Sequence, residues 1–419
     1  MPTNYLNEIE LPEKFQEEIE KVVKEKRLNK DQAAKLMEEV KIRYMTSRFE
    51  PGEVVGIIAA QSISEPATQM SIDAQEKIIT KHGEMISAVG IGEFVDKIIE
   101  RLGAVQEGGW NIADISNLGI YVPSIHQNEK IGWEKVLACS RHKAPKKLLK
   151  IKTKSGRTIV ATDSHSFVIR KNNKIFSVSG KALTKGERIP SIKYLHENCI
   201  DSINIRSLAG KSFERARKRL PENLPLDANT GWIFGAYISE GNCTPNFVSI
   251  SNVDEIFLEK SRRFASSFRL AFNEYDNFRG FARGHDLHIN SALLSTVLGI
   301  SCGEGSENKK IPNFAYSANE KFVRGLLQGY FEGDGNISVE RGVIRASSNS
   351  EELIGGLALL LTRFGIFSYK SRGKQFNLVI PSKYAKVFRE KIGFKIPTPS
   401  SGTSRGSDKA ERRVYASKP

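Results

Sequence analysis

The chain is built around two apolar segments rich in small residues, each closing on an acid, a glycine and an asparagine. The first reads Trp232-Ile-Phe-Gly-Ala-Tyr-Ile-Ser-Glu-Gly-Asn242 and the second Gly325-Leu-Leu-Gln-Gly-Tyr-Phe-Glu-Gly-Asp-Gly-Asn336. Glycine and alanine inside an apolar helix let two backbones approach closely. If the two segments pack side by side, Glu240 and Asp334 converge at one end. Two carboxylates at one point suit a hard divalent cation such as Mg²⁺. A metal between an attacking water and a leaving oxygen suits phosphodiester hydrolysis. Either segment alone reads as ordinary core; the pair, spaced by some ninety residues, is what constrains the fold.

Charge supports that direction. The net charge is +15, and it is unevenly placed. Residues 1–70 carry a net −3 and residues 71–419 a net +18. The basic excess therefore travels with the twin segments, as neutralisation of nucleic-acid phosphates requires. No apolar run reaches the ~20 residues of a membrane span and no charged-then-apolar leader opens the chain, so a soluble, cytoplasmic protein without membrane partners is expected. The four cysteines (Cys139, Cys199, Cys243 and Cys302) have no zinc or redox spacing, and no disulfide framework is expected.

The twin segments resemble the LAGLIDADG motifs of homing endonucleases, with cores Ile233–Gly241 and Leu327–Gly335. Strand-like alternation at 246–252, 286–290, 335–339 and 342–348, with helices at 254–272 and 350–364, gives each half the order helix, strands, helix. The resemblance implies an α+β domain of pseudo-two-fold symmetry over residues 201–395, acting as a monomer on double-stranded DNA. Its acids would hold Mg²⁺, its sheets would lie in the major groove, and Lys310 in Lys309-Lys-Ile-Pro would assist cleavage. Two other readings fit the twin segments. One is a relic that holds DNA without cutting it. The other is an RNA-binding maturase, which needs none of the upstream features described next.

Upstream the character changes twice. Helices are expected over 14–27, with Phe15, Ile19, Val22 and Val23 on one face, and from Lys30, with Asn29 as N-cap and Leu36, Val40 and Tyr44 inward. Pro51 would open a third helix in the stretch Glu50–Met70. This stretch resembles the entry to the trigger loop in the largest catalytic polypeptide of multisubunit RNA polymerases. The helices before it resemble the start of the archaeal A″ chain, the C-terminal part of that polypeptide. Ser64 departs from the family's glycine. Gln69 matches a position that approaches the incoming nucleotide. The family's continuation is absent after Met70, so residues 1–70 read as an α-helical polymerase segment that is interrupted.

Residues 71–200 show short alternating strands, including a hairpin turning at Ser155-Gly156, and read as a compact all-β module. Gly90-Ile-Gly-Glu lacks the third glycine of a phosphate loop. Ser71, standing where the polymerase sequence stops, and Thr162-x-x-His165 resemble the N-terminal half of a Hint domain, the self-splicing core of an intein. The resemblance implies that Ser71 Oγ attacks the Met70 carbonyl in an N-to-O acyl shift. His165 would protonate the leaving nitrogen, and Thr162 would hold the scissile amide or orient the imidazole. The other histidines, His142 among them, read as surface or core residues. Pro397 onward has the composition of a flexible tail, residues 396–419. The His-Asn and following nucleophile that close an intein are not found, so this chain alone is not expected to complete splicing. Spliced to the remainder, the polymerase segment would assemble with the other polymerase chains A′, B, D, L and H. The fold class expected is thus multidomain: a helical polymerase segment, a partial all-β Hint-like module and a pseudo-two-fold α+β endonuclease.

Overall fold

The computed structural model describes residue 11 and residues 13–26, 28–46, 71–126, 128–192, 199–216, 220–279, 282–338 and 342–393. Gln69, the Pro51 helix and the tail lie outside the described residues. The chain divides into two compact units, Met1–Gln69 and Met70–Pro419.

In the first unit, helices Glu13–Lys26 and Lys30–Thr46 form where the apolar spacing predicts them. Asn29 starts the second through a reciprocal cap. Its Oδ1 accepts from the Gln32 amide at 2.8 Å, and Gln32 Oε1 accepts from the Asn29 amide at 3.1 Å. This satisfies two donors that a helix start otherwise leaves open. The expected apolar face is only partly covered: Ile19 is buried, while Phe15 and Val22 remain exposed.

The second unit opens with a four-stranded antiparallel sheet in the order Met85–Gly90, Lys77–His82, Ile120–Ile125, Ile131–Lys135. A three-stranded sheet of Val105–Glu107, Trp110–Asp114 and Ala138–His142 stands beside the helix Ile91–Leu102. Ile98, Ala113, Ile115 and Ile120 form the small core there. The hairpin Leu149–Lys152/Thr158–Ala161 turns at Gly156, whose φ of +78° a side chain would strain. The small all-β module therefore carries one helix, and Gly90-Ile-Gly-Glu is simply where that helix begins.

From Ala228 the chain runs the same course twice. The first pass is helix Ala228–Glu240, strands Gly241–Cys243 and Val248–Ser251, helix Glu255–Ser267, strands Ala271–Arg279 and Ala282–Asn290, helix Ala292–Cys302. The second is helix Glu320–Asp334, strands Gly335–Ser338 and Val343–Ser348, helix Glu351–Thr362, strands Tyr369–Arg372 and Phe376–Ile380, helix Ser382–Lys391. Taken in chain order, each four-stranded antiparallel sheet has the strand order first, second, fourth, third. Val248, Ile250, Leu287 and Ile289 of one sheet, and Ile344, Ala346, Leu378 and Ile380 of the other, point into a single large core. Alternation along each strand leaves the opposite faces polar. Ahead of the first pass lie two one-turn helices, Ile205–Ala209 and Lys211–Arg215. Gly210, at φ +50°, separates them.

The β module is fastened to the duplicated part at several points. Ser317 Oγ bridges the backbone of Ile86, donating to its carbonyl and accepting from its amide. The Lys370 amide donates to the Ser155 carbonyl, Arg157 donates to the Ser368 carbonyl, and Lys77 pairs with Glu352.

Candidate functional sites

The two motif helices, Ala228–Glu240 and Glu320–Asp334, meet through their glycines. A Cβ placed on Gly235 would lie 2.1 Å from the Leu326 carbonyl oxygen, and one on Gly329 2.2 Å from that of Trp232. Gly231 and Gly325 sit equally tightly against Phe322 and Ala228. Ser239 Oγ continues the seam by reaching the Gly329 carbonyl at 3.4 Å. The helices therefore remain in backbone contact down to their C-terminal ends. A Cβ on Gly333 would lie 2.9 Å from Glu240 Cγ. Glu240 and Asp334 are thereby brought together, both half-buried and each the last residue of its helix.

That placement is electrostatically costly without a cation. Helix C-termini carry partial negative charge, so two carboxylates there oppose the dipoles and each other. Two carboxylates at one point offer hard oxygen donors of the kind a divalent cation takes. Among the described residues no group of three or more His, Cys, Asp or Glu could hold a metal.

A lysine does reach this end, and it is Lys309. Its Nζ donates to the Tyr237 carbonyl at 2.8 Å and the Gly241 carbonyl at 3.0 Å, and lies 3.2 Å from the Tyr237 ring centroid. Burial pushes its ammonium down to about 8, with the nearby Cys302, Cys243, Glu304 and Asp334 acting in the opposite direction. Lys310, the lysine singled out from the sequence, is not brought to the motif helices in this way. Its backbone amide donates to the Cys302 carbonyl, and its charge is felt at Cys302 and at Glu93.

Burial of Lys309 makes folding stability depend on pH. Since the folded value lies below the unfolded one near 10.5, the unfolded chain binds more protons between pH 8 and 10.5, and folding stability rises with pH across that window. Titration of the metal-free protein, followed by the ¹³Cε shift of Lys309, is expected to show a midpoint near 8. A midpoint near 10.5 would place this ammonium in water instead.

The second site centres on Ser71. An isolated bridge pairs Ile72 with Ala161, laying residues 71–73 along the strand Thr158–Ala161. The Ser71 amide donates to Thr162 Oγ1 at 3.0 Å, and the Thr162 amide donates to the Ser71 carbonyl at 2.9 Å. The His165 amide closes a turn on the Thr162 carbonyl at 3.1 Å, and its ring packs edge-on to Phe167 at 5.0 Å. Ser71, Thr162 and His165 line one cavity of about 910 Å³. So does His142, which sequence reasoning passed over. Its Nε2 lies 2.8 Å from Ser71 Oγ. No motif marks it, and only the pairing of the strands Trp110–Asp114 and Ala138–His142 carries it there.

Residues 13–87 match the family "RNA polymerase Rpb1, domain 5" and residues 321–393 the family "LAGLIDADG-like domain". The first match runs on past Met70, where the polymerase-like reading stops. The chain is 46% identical over 410 residues to the DNA-directed RNA polymerase subunit Rpo1C of Methanocaldococcus jannaschii. That alignment covers 95% of this chain and 48% of the relative, so the chain spans about half the relative's length. Among solved structures, the Mvu mini-intein of transcription factor IIB is 27% identical, with a TM-score of 0.26, over 28% of this chain and 65% of that one. I-DmoI in complex with DNA and Mn is 11% identical, with a TM-score of 0.32, over 40% of this chain and 97% of that one. No helix among the described residues is long and apolar enough to cross a membrane. The chain is thus similar to the Rpo1C-type RNA polymerase sequences along almost its whole length, and it carries an Rpb1 domain 5 match and a LAGLIDADG-like domain.

Proposed function

We propose that residues 201–395 cut double-stranded DNA at the uninterrupted polymerase gene junction, with Glu240 and Asp334 holding Mg²⁺. The observation that carries this reading is the convergence of the two acids at the ends of glycine-packed helices, in a fold whose two sheets share one strand order. Mg²⁺ bound there would polarise the scissile phosphate and the attacking water. Lys309, charged below pH ~8 and held by the Tyr237 and Gly241 carbonyls, would add positive charge at this end of the helices. The polar sheet faces, with Ser249, Asn273, Tyr275 and His288 on one and Arg345 and Asn377 on the other, supply donors and acceptors for base edges.

Residues 71–200 would begin splicing. Ser71 Oγ converts the bond to residue 70 into an ester, while Thr162 fixes the amide nitrogen and His165 protonates it as it leaves. Residues 1–70 would serve in transcription, with Gln69 near the nucleotide, once joined to the rest of their own polypeptide and assembled with A′, B, D, L and H. A plasmid carrying the uninterrupted junction tests the endonuclease. Linearisation that requires Mg²⁺ is expected. Binding without cutting would instead make this half a DNA-holding relic.

A further inference from the structure

We propose that His142 is the general base that takes the Ser71 hydroxyl proton, leaving His165 free to act as acid; this deepens the acyl-shift reading and rests on it. The two ring nitrogens of His142 are distinguished by their neighbours. Nδ1 lies 2.8 Å from the Lys143 carbonyl oxygen, which can only accept, so Nδ1 carries the proton of the neutral ring. Nε2 is then a bare lone pair, and at 2.8 Å from Ser71 Oγ it accepts the hydroxyl hydrogen. Serine is a weak nucleophile at neutral pH and needs such a partner.

The surroundings hold this arrangement. Trp110 pairs across the sheet with His142, and its ring lies 3.6 Å away, tilted by 37°. An indole beside the imidazole fixes its plane. Thr162 grips Ser71 through both its amide and its carbonyl, so Oγ has a short arc to sweep. In the step itself, the Oγ proton passes to His142 Nε2 and Oγ bonds to the carbonyl carbon of residue 70. The bond from that carbon to the Ser71 nitrogen then breaks, and one proton arrives on the nitrogen. The change is an isomerisation that consumes no co-reactant.

The full chain is treated with hydroxylamine, which cleaves the ester but not the amide, and release of residues 1–70 is timed by mass spectrometry. Ser71→Ala gives the blank. His142→Gln is expected to slow release at least about 10²-fold, the usual contribution of a positioned base. In a Ser71→Cys background the same change is expected to cost less than about tenfold, because a thiol near pKa 8.5 ionises without help. Equal losses in both backgrounds would mean a structural role and overturn the proposal. An unslowed His142→Gln would overturn it while the acyl shift stands. No Ser71-dependent release from any variant would remove the acyl shift and the base together. Independently of cleavage, ¹⁵N spectra should show His142 Nδ1 protonated and Nε2 bare. A protonated Nε2 would make His142 a donor to Ser71 and end the proposal.

Discussion

A Glu240→Gln variant is expected to bind junction DNA like the parent and to cut it at least ~10²–10³-fold more slowly, the cost of losing one group that stabilises developing charge. Asp334→Asn is expected to match it, because the two acids occupy equivalent ends of paired helices. Neither change should weaken the fold. Each removes one of two like charges set against the negative ends of helix dipoles, so stability should hold or rise by a few tenths of a kcal/mol. Gel shift without metal, plasmid cleavage with Mg²⁺ and a thermal melt separate the three quantities. Cleavage at the parental rate by either variant would remove the acids from the chemistry.

Gly329→Ala is expected to lose about 3 kcal/mol or more of stability, although alanine is ordinarily the better helix former by ~1 kcal/mol. The added methyl would sit 2.2 Å from the Trp232 carbonyl and 2.8 Å from the Ala236 amide, both backbone atoms that cannot turn aside. Gly355→Ala is the control. It lies within the helix Glu351–Thr362, and its Cβ would meet only Lys370 Nζ, at 3.9 Å. There the ordinary preference should return, with a gain of about 0.5–1 kcal/mol. Denaturant midpoints for the two variants should therefore move in opposite directions. Parallel shifts would mean that the helix seam does not depend on backbone contact.

Much of this was legible in the chain itself. Asn29 and Gln32 are spaced for a reciprocal cap and form one. Small residues at Gly231, Gly235, Gly325 and Gly329 announce a close helix crossing, and that crossing places both acids. Such features are local: they depend on spacing along one helix or one turn, which sequence shows directly. Less was visible where partners come from distant strands. The repeated hairpins Ala271–Arg279/Ala282–Asn290 and Tyr369–Arg372/Phe376–Ile380 share a strand order that no single segment encodes.

By its sequence alone, then, the chain determined that two acid-tipped helices would pair and that Ser71 and Thr162-x-x-His165 would belong to one β module. Only the tertiary structure decided which lysine reaches the paired helices and which histidine touches Ser71. Lys309 and Lys310 are indistinguishable in a string of letters; the fold buries Lys309 against the Tyr237 ring. His142 stands 71 residues from Ser71, and strand register alone closes that distance to 2.8 Å. Register and burial are properties of the assembled sheets and core, so no motif along the chain could record them.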